Sequence, residues 1–165
     1  MLRVQNAGPD HYGRIVAIYN HYILHSPATF DLEPYSLGER APWFSLFSTA
    51  GPHQLLVATG DTAVAGYAYS APFKARAAYD ISVETTVYID PDFVGQGIGS
   101  VLYESLLDRL IRCEDLHGAY AGITLPNPAS ERLHEKFGFR RIGVETEVGH
   151  KFDRYWSVAR YERRL

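Results

Sequence analysis

Several features of the 165-residue sequence could do chemistry. The stretch DPDFVGQGIGS, Asp90 to Ser100, sets Gly95, Gly97 and Gly99 at alternate positions just ahead of a helix-like segment. Glycines there let the backbone come close to a ligand, and successive amides at a helix start point the same way, with the helix dipole behind them. Such a turn can seat a pyrophosphate or can be purely structural. Glu84 stands mid-run in SVETTV, where a carboxylate is costly unless solvated or paired. It is either a surface strand residue or a general base. His134, in RLHEKFGF, is a lone helical histidine, ordinarily a surface or cap residue. Asn127, in LPNPAS, can cap the helix it precedes. Lys74 and Arg76 lie beside Phe73 and Tyr79 in APFKARAAY. They make either a solvated basic loop or a grip for a carboxylate or phosphinate.

Other chemistries fail on spacing. A dinucleotide fingerprint needs a third glycine and an early strand, and a nucleotide P-loop needs a lysine after its last glycine. Neither is present around Gly97. His11, His21, His25, His53, His117 and His150 show no ligand spacing, so no metal is expected. The single cysteine, Cys113, rules out an intrachain disulfide and reads as a buried, inert thiol. A net charge of −3 gives no reason to expect a nucleic-acid or membrane partner. No apolar run approaches a membrane span, the first residues lack the apolar core of a signal peptide, and a cytoplasmic protein is expected.

The elements that must position these residues follow from periodicity. Leu2–Gln5 reads as a strand, PDHYGRIVAIYNHYIL as a helix, HSPATFDLEP as a loop and 37–47 as a short helix. Gln54–Thr59 and Thr62–Ser70 read as a hairpin around TGD, and Tyr79–Asp90 as a long strand rich in β-branched residues. A helical stripe carrying Val101, Leu102, Leu106, Leu110 and Ile111 follows the glycines, then a strand at Gly118–Thr124. NPASERLHEKFGF is a helix with Asn127 as cap, Pro128 in its first turn and Gly138 as its stop. Strands at 140–148 and 154–162 end the chain. The expectation is one α/β (α+β) domain over residues 1–165, with a mixed sheet of about seven strands flanked by about four helices.

Two stretches together resemble a known family. VETTVYIDPDFVGQGIGSVLYESLL is similar to the coenzyme A pyrophosphate motif of the GNAT acetyltransferases, and LPNPASERLHEKFGF to their second cofactor motif. KARAAYDISVETTVYI, LYESLL and VGHKFDRYW resemble the phosphinothricin and methionine sulfoximine acetyltransferase branch. The resemblance covers nearly the whole chain. It implies a GNAT fold split between the fourth and fifth strands, with acetyl-CoA as co-substrate in the split.

The resemblance also implies roles. Gly95, Gln96, Gly97, Ile98, Gly99 and Ser100 would cradle the pyrophosphate. Val87, Tyr88 and Ile89 would pair with the pantetheine arm, a strand amide would polarise the thioester carbonyl, and Asn127 and Ser130 would touch the same cofactor. Glu84 would take a proton from the acceptor amine, and His134 would serve as general acid or stabiliser for the thiolate. Phe30, Phe73, Lys74, Arg76, Tyr79, Thr85 and Thr86 would line the acceptor pocket. Lys151 and Trp156 would approach a neighbouring subunit in a homodimer, although Trp156 also reads as core. Val94 departs from the family, which usually carries Arg or Gln there. The acceptor implied is a small α-amino acid with a tetrahedral head, such as phosphinothricin or methionine sulfoximine. Two alternatives stand beside it: another amine (a polyamine, an aminoglycoside, a protein N-terminus), or a non-catalytic acyl-CoA sensor.

Overall fold

The computed structural model describes residues 2–60 and 63–165, so Asp61 and Thr62, in and after the expected TGD turn, lie outside the described residues. One seven-stranded sheet runs through the chain in the order β1-β2-β3-β4-β5-β7-β6. Its strands are β1 (Arg3–Asn6), β2 (Leu55–Thr59), β3 (Val64–Pro72), β4 (Ser82–Ile89), β5 (Gly118–Thr124), β6 (Arg140–Lys151) and β7 (Arg154–Arg164). The helices are α1 (Pro9–His25), α2 (Leu37–Phe44), α3 (Ile98–Ile111) and α4 (Pro128–Lys136). No helix among the described residues is long and apolar enough to cross a membrane.

Three parts of the fold differ from expectation. The long strand begins at Ser82 rather than Tyr79. Amide bonds from Tyr79 to Arg76 and from Asp80 to Ala77 wrap Ala77–Tyr79 into a 3₁₀ turn, and Asp90 caps a second such turn instead of extending the strand. α2 ends at Phe44 because Ser45, Leu46 and Phe47 donate three residues back, the tighter pattern of a closing turn. The last hairpin is longer than expected. Its ladder runs to Lys151↔Arg154 and turns through Phe152 and Asp153, both at φ 53°.

Alternation along the strands divides the core in two. On one face α3 lays Leu102, Tyr103, Leu106 and Leu110 against Leu56, Ala68, Val83, Ala119 and Ala121. On the other, α1 and α2 bury Ile15, Ile18, Tyr19, Ile23 and Phe44 against Val57, Tyr67 and Tyr88. Arg40 holds α2 to this second layer, its guanidinium lying over Tyr19, Tyr35 and Trp43.

The feature that makes a site is a broken ladder. β4 and β5 run parallel and pair only at Ser82↔Gly118, Val83↔Ala119 and Glu84↔Tyr120. β5 then stays with β7 as far as Thr124↔Val158, while β4 continues to Ile89 with β3 alone. Beyond Glu84 the sheet is therefore split, and backbone groups on the β5 side of β4 have no strand partner.

Candidate active site

A cavity of about 530 Å³ fills the split, within the size range of small-molecule sites. Thr85, Thr86, Val87, Tyr88 and Ile89 line it from β4. Val94, Gly95, Gly97, Ile98, Gly99 and Ser100 close one end, and Asn127, Ser130, Arg132, Leu133, His134 and Lys136 form the opposite wall. A second chamber of about 250 Å³ is lined by Glu84, Phe30, Glu145, Val148 and Arg160. The two share Ala28, Gly122 and Thr124 in their walls, and Glu84 of the second is followed along β4 by Thr85 and Thr86 of the first.

The glycine turn has a geometry that can seat an anion. Gly97 is the N-cap of α3 at φ 77°, and Gly95 is at φ 83°, both left-handed conformations that favour glycine. Ser100 and Val101 donate to the Gly97 carbonyl, so the amides of Ile98 and Gly99 precede the first intrahelical bonds. Lys136 and Arg132, one turn apart on α4, bring positive charge to the same cavity, and Lys136 Nζ donates to Ser100 Oγ at 3.0 Å. Gln96 is the exception in this turn. Its side chain is exposed and outside the cavity, with Nε2 3.4 Å from the Asp92 carbonyl. Val94 is 62% exposed and adds no polar group.

Asn127 caps α4, its Oδ1 accepting from the Ser130 amide at 3.1 Å. One turn on, His134 Nδ1 lies 2.7 Å from the Ser130 carbonyl. A carbonyl only accepts, so Nδ1 carries the hydrogen and Nε2 keeps a free lone pair. Nε2 is the one buried side-chain nitrogen or oxygen without a partner among the described residues. Burial among Tyr103, Phe139 and Tyr161 holds the imidazole below its ordinary pKa, against the opposing effect of the Ser130 bond. The Ser130 bond leaves Nε2 as the atom facing the site: the neutral ring accepts there and the protonated ring donates there, so the geometry is compatible with either role expected of His134.

Glu84 lies on the α1–α2 face of the sheet, level with Tyr120. Burial pushes its carboxyl above the ordinary range; Arg160 pulls it down and Glu145 raises it further. Thr85 points the other way, its hydroxyl 2.6 Å from that of Tyr103. Phe30 reaches the chamber from the loop after α1. That loop is tied down by Lys151, whose ammonium donates to the carbonyls of Ser26 and Thr29 at 2.8 Å each. Lys151 is 4% exposed, so the expected reach to a neighbouring subunit gives way to a contact inside its own chain. Trp156 is half-buried, with Nε1 donating to the Lys151 carbonyl.

The basic loop after β3 is not brought in. Phe73 stacks on Tyr120 with ring centroids 4.3 Å apart, Lys74 sits over Phe73 and Tyr79, and Arg76 is exposed. None of Phe73, Lys74, Arg76 and Tyr79 lines either cavity. The guanidinium in the wall of Glu84's chamber is that of Arg160, and its ion-pair partner Glu145 is beside it. Neither was singled out from sequence, because only the β6–β7 and β5–β7 registers bring them to Glu84. Arg132 and Lys136 were legible in principle as a four-residue repeat on α4. Cys113 is half-buried, and burial with Asp115 nearby raises its thiol above the ordinary value, as suits an unreactive thiol.

Residues 15–139 match the acetyltransferase (GNAT) family. The chain belongs to that family. It is 55% identical over 150 residues to the phosphinothricin N-acetyltransferase of Streptomyces coelicolor, a match covering 90% of this chain and 87% of that protein. It is 33% identical to the L-methionine sulfoximine/L-methionine sulfone acetyltransferase of Salmonella typhimurium, over 87% of this chain and 83% of the other. Among solved structures, a GNAT superfamily phosphinothricin acetyltransferase from Sinorhizobium meliloti in complex with acetyl-CoA superposes with a TM-score of 0.93 at 32% identity. That superposition takes in 99% of this chain and 88% of the other. The acetyltransferase fold, with its split between β4 and β5, is thus the one expected from the two motifs, and the chain is an acyltransferase.

Proposed function

We propose that this GNAT enzyme uses acetyl-CoA to acetylate the α-amino group of a small amino acid analogue, with phosphinothricin and methionine sulfoximine as the reference acceptors. The observation that carries the proposal is Glu84, a carboxylate with a raised pKa in the wall of the acceptor-sized chamber, followed along β4 by Thr85 and Thr86 of the long cavity of the split. The named activities of the relatives supply the acceptor class.

Acetyl-CoA would supply a thioester-activated acetyl group. The residues present fit it. The Ile98 and Gly99 amides, with Lys136 and Arg132, suit a pyrophosphate, and the edge of β4 from Thr85 to Tyr88, without a strand partner, suits the amides of a pantetheine arm. His134 Nε2 offers a hydrogen-bond acceptor to a thiol. On the acceptor side, Glu84 removes the proton that keeps an α-amine unreactive at neutral pH, directly or through one water. Holding the amine and the acyl donor on two sides of one split supplies much of the remaining rate. A homodimer belongs to the same proposal. β6 is an edge strand, exposed along nearly all its length, and carries Ile142, Val144 and Val148 at 47%, 41% and 56% exposure.

Release of free thiol from acetyl-CoA, measured across a panel of amines, tests the acceptor class. Saturable release is expected with phosphinothricin and methionine sulfoximine. Release with polyamines or aminoglycosides instead would overturn the amino-acid assignment, and no release with any amine would favour a non-catalytic sensor. The cofactor side has its own test at Val94. Val94→Arg puts a cation beside the glycine turn and is expected to lower the KM for acetyl-CoA about three- to tenfold at low salt, with the gain shrinking as salt screens it. An unchanged KM at low salt would show that no phosphate comes within reach of position 94.

A further inference from the structure

We propose that Arg160 grips the α-carboxylate of the acceptor, aimed by Glu145 and seated on the bare backbone of Gly122. This rests on the amino-acid reading above and adds the group that would recognise the acid.

The register puts these residues together. Glu84 is opposite Tyr120, and Gly122, two residues further along β5, is opposite Arg160 of β7. A separation of two keeps them on one face of the sheet. Arg160 folds back across β5 toward the split. A Cβ at Gly122 would lie 2.7 Å from Nη1 and 3.4 Å from Cζ of Arg160, so the guanidinium occupies the space that any side chain at 122 would fill. Glu145 holds it from the outer side, Oε2 accepting from Nε at 3.2 Å and lying 3.1 Å from Nη2. Nη1 makes no protein hydrogen bond among the described residues, and Arg160 lines the chamber that Glu84 and Phe30 share.

An α-amino acid carries its amine and its carboxylate on one carbon. A site that deprotonates the first must meet the second within a few ångströms, and a buried carboxylate needs a cation or several donors. Arg160 is the cation lining the chamber of Glu84. A guanidinium fixed along one edge and free at Nη1 is suited to a directional bond to a carboxylate oxygen. Without a substrate carboxylate the chamber holds two acids and one base, and binding an acid next to Glu84 depends on Arg160 remaining charged and aimed.

The test compares L-methionine sulfoximine with its carboxamide, which keeps the amine and the head but lacks the acid. Steady-state kinetics are measured for the wild type, Arg160→Leu, Arg160→Lys and Gly122→Ala, with circular dichroism to confirm folding. Arg160→Leu is expected to raise the KM for the acid on the order of tenfold to a hundredfold, with little change for the carboxamide or for acetyl-CoA. Arg160→Lys should recover part of the loss. Gly122→Ala, which keeps the charge but displaces the guanidinium, should shift the acid's KM in the same direction. Equal losses on acid and carboxamide, or no loss on either, would overturn the assignment. A wild type that prefers the acid and an Arg160→Leu variant that keeps that preference would remove Arg160 alone. A wild type that acetylates neither compound would remove the amino-acid reading and Arg160 with it.

Discussion

Glu84→Gln is expected to lower kcat/KM for the acceptor by about 10²- to 10⁴-fold at neutral pH, the usual worth of a positioned base. The KM for acetyl-CoA should stay near wild type, because Glu84 lines the chamber and not the long cavity. The pH profile separates loss of a base from loss of shape. Burial raises the Glu84 pKa, so wild-type activity should climb through a limb above the ordinary carboxylate range. The variant lacks that limb and recovers only as the acceptor amine loses its own proton, so the gap narrows at high pH. Stability should move the other way. A carboxyl whose folded pKa lies above its unfolded value is most favourable to folding when protonated, at acid pH, and that contribution is lost as pH rises through the folded pKa. Gln carries no such loss, so the variant's melting temperature relative to wild type should rise from acid to neutral pH. Unchanged turnover at pH 7 would remove Glu84 as the base.

What could be read from the sequence followed the range of the interactions involved. Asn127, Pro128 and Gly138 delimit α4 by local chemistry (a cap, a fixed φ, a left-handed stop), and the helix was legible to within a residue or two. The Gly95–Gly97 turn was legible for the same reason. Tyr79 reads as strand because the β-rich run from Ile81 onward is extended back through it, while two amide bonds curl Ala77–Tyr79 into a turn. The acceptor side needed more. Searching along the chain for a cation near Glu84 leads to Arg76, but the 3₁₀ turn carries that residue to the surface. Arg160 and Glu145 come to Glu84 only through strand pairings that no local pattern encodes. Lys151 shows the same limit in reverse: its position in VGHKFDRYW suggests an exposed charge, while two backbone carbonyls more than a hundred residues earlier draw it inside. His134 is intermediate. Its helix was legible, but its tautomer depends on which atom its Nδ1 meets.

Gly97→Val is expected to raise the KM for acetyl-CoA by about tenfold to a hundredfold, the worth of one or two lost anion contacts, with kcat at saturating cofactor much less affected. Gly97 sits at φ 77°, where a β-branched residue is strained by about 1–2 kcal/mol. No protein atom lies within 4 Å of where its Cβ would stand, so the added side chain meets open space beside the cavity that Gly97 lines. The substitution thus acts on the proposed seat of the phosphate in two ways, by shifting the turn and by projecting an apolar group where an anion would approach the α3 amides. Gly51 provides the control. It has φ 87°, equally open space at its Cβ and no place in either cavity. Gly51→Val should therefore lose a similar few degrees of melting temperature while leaving the KM for acetyl-CoA alone. Equal KM values in the two variants would mean that the turn at Gly97 holds the helix start and nothing more, and the pyrophosphate would then have to be sought against Lys136 and Arg132 on α4.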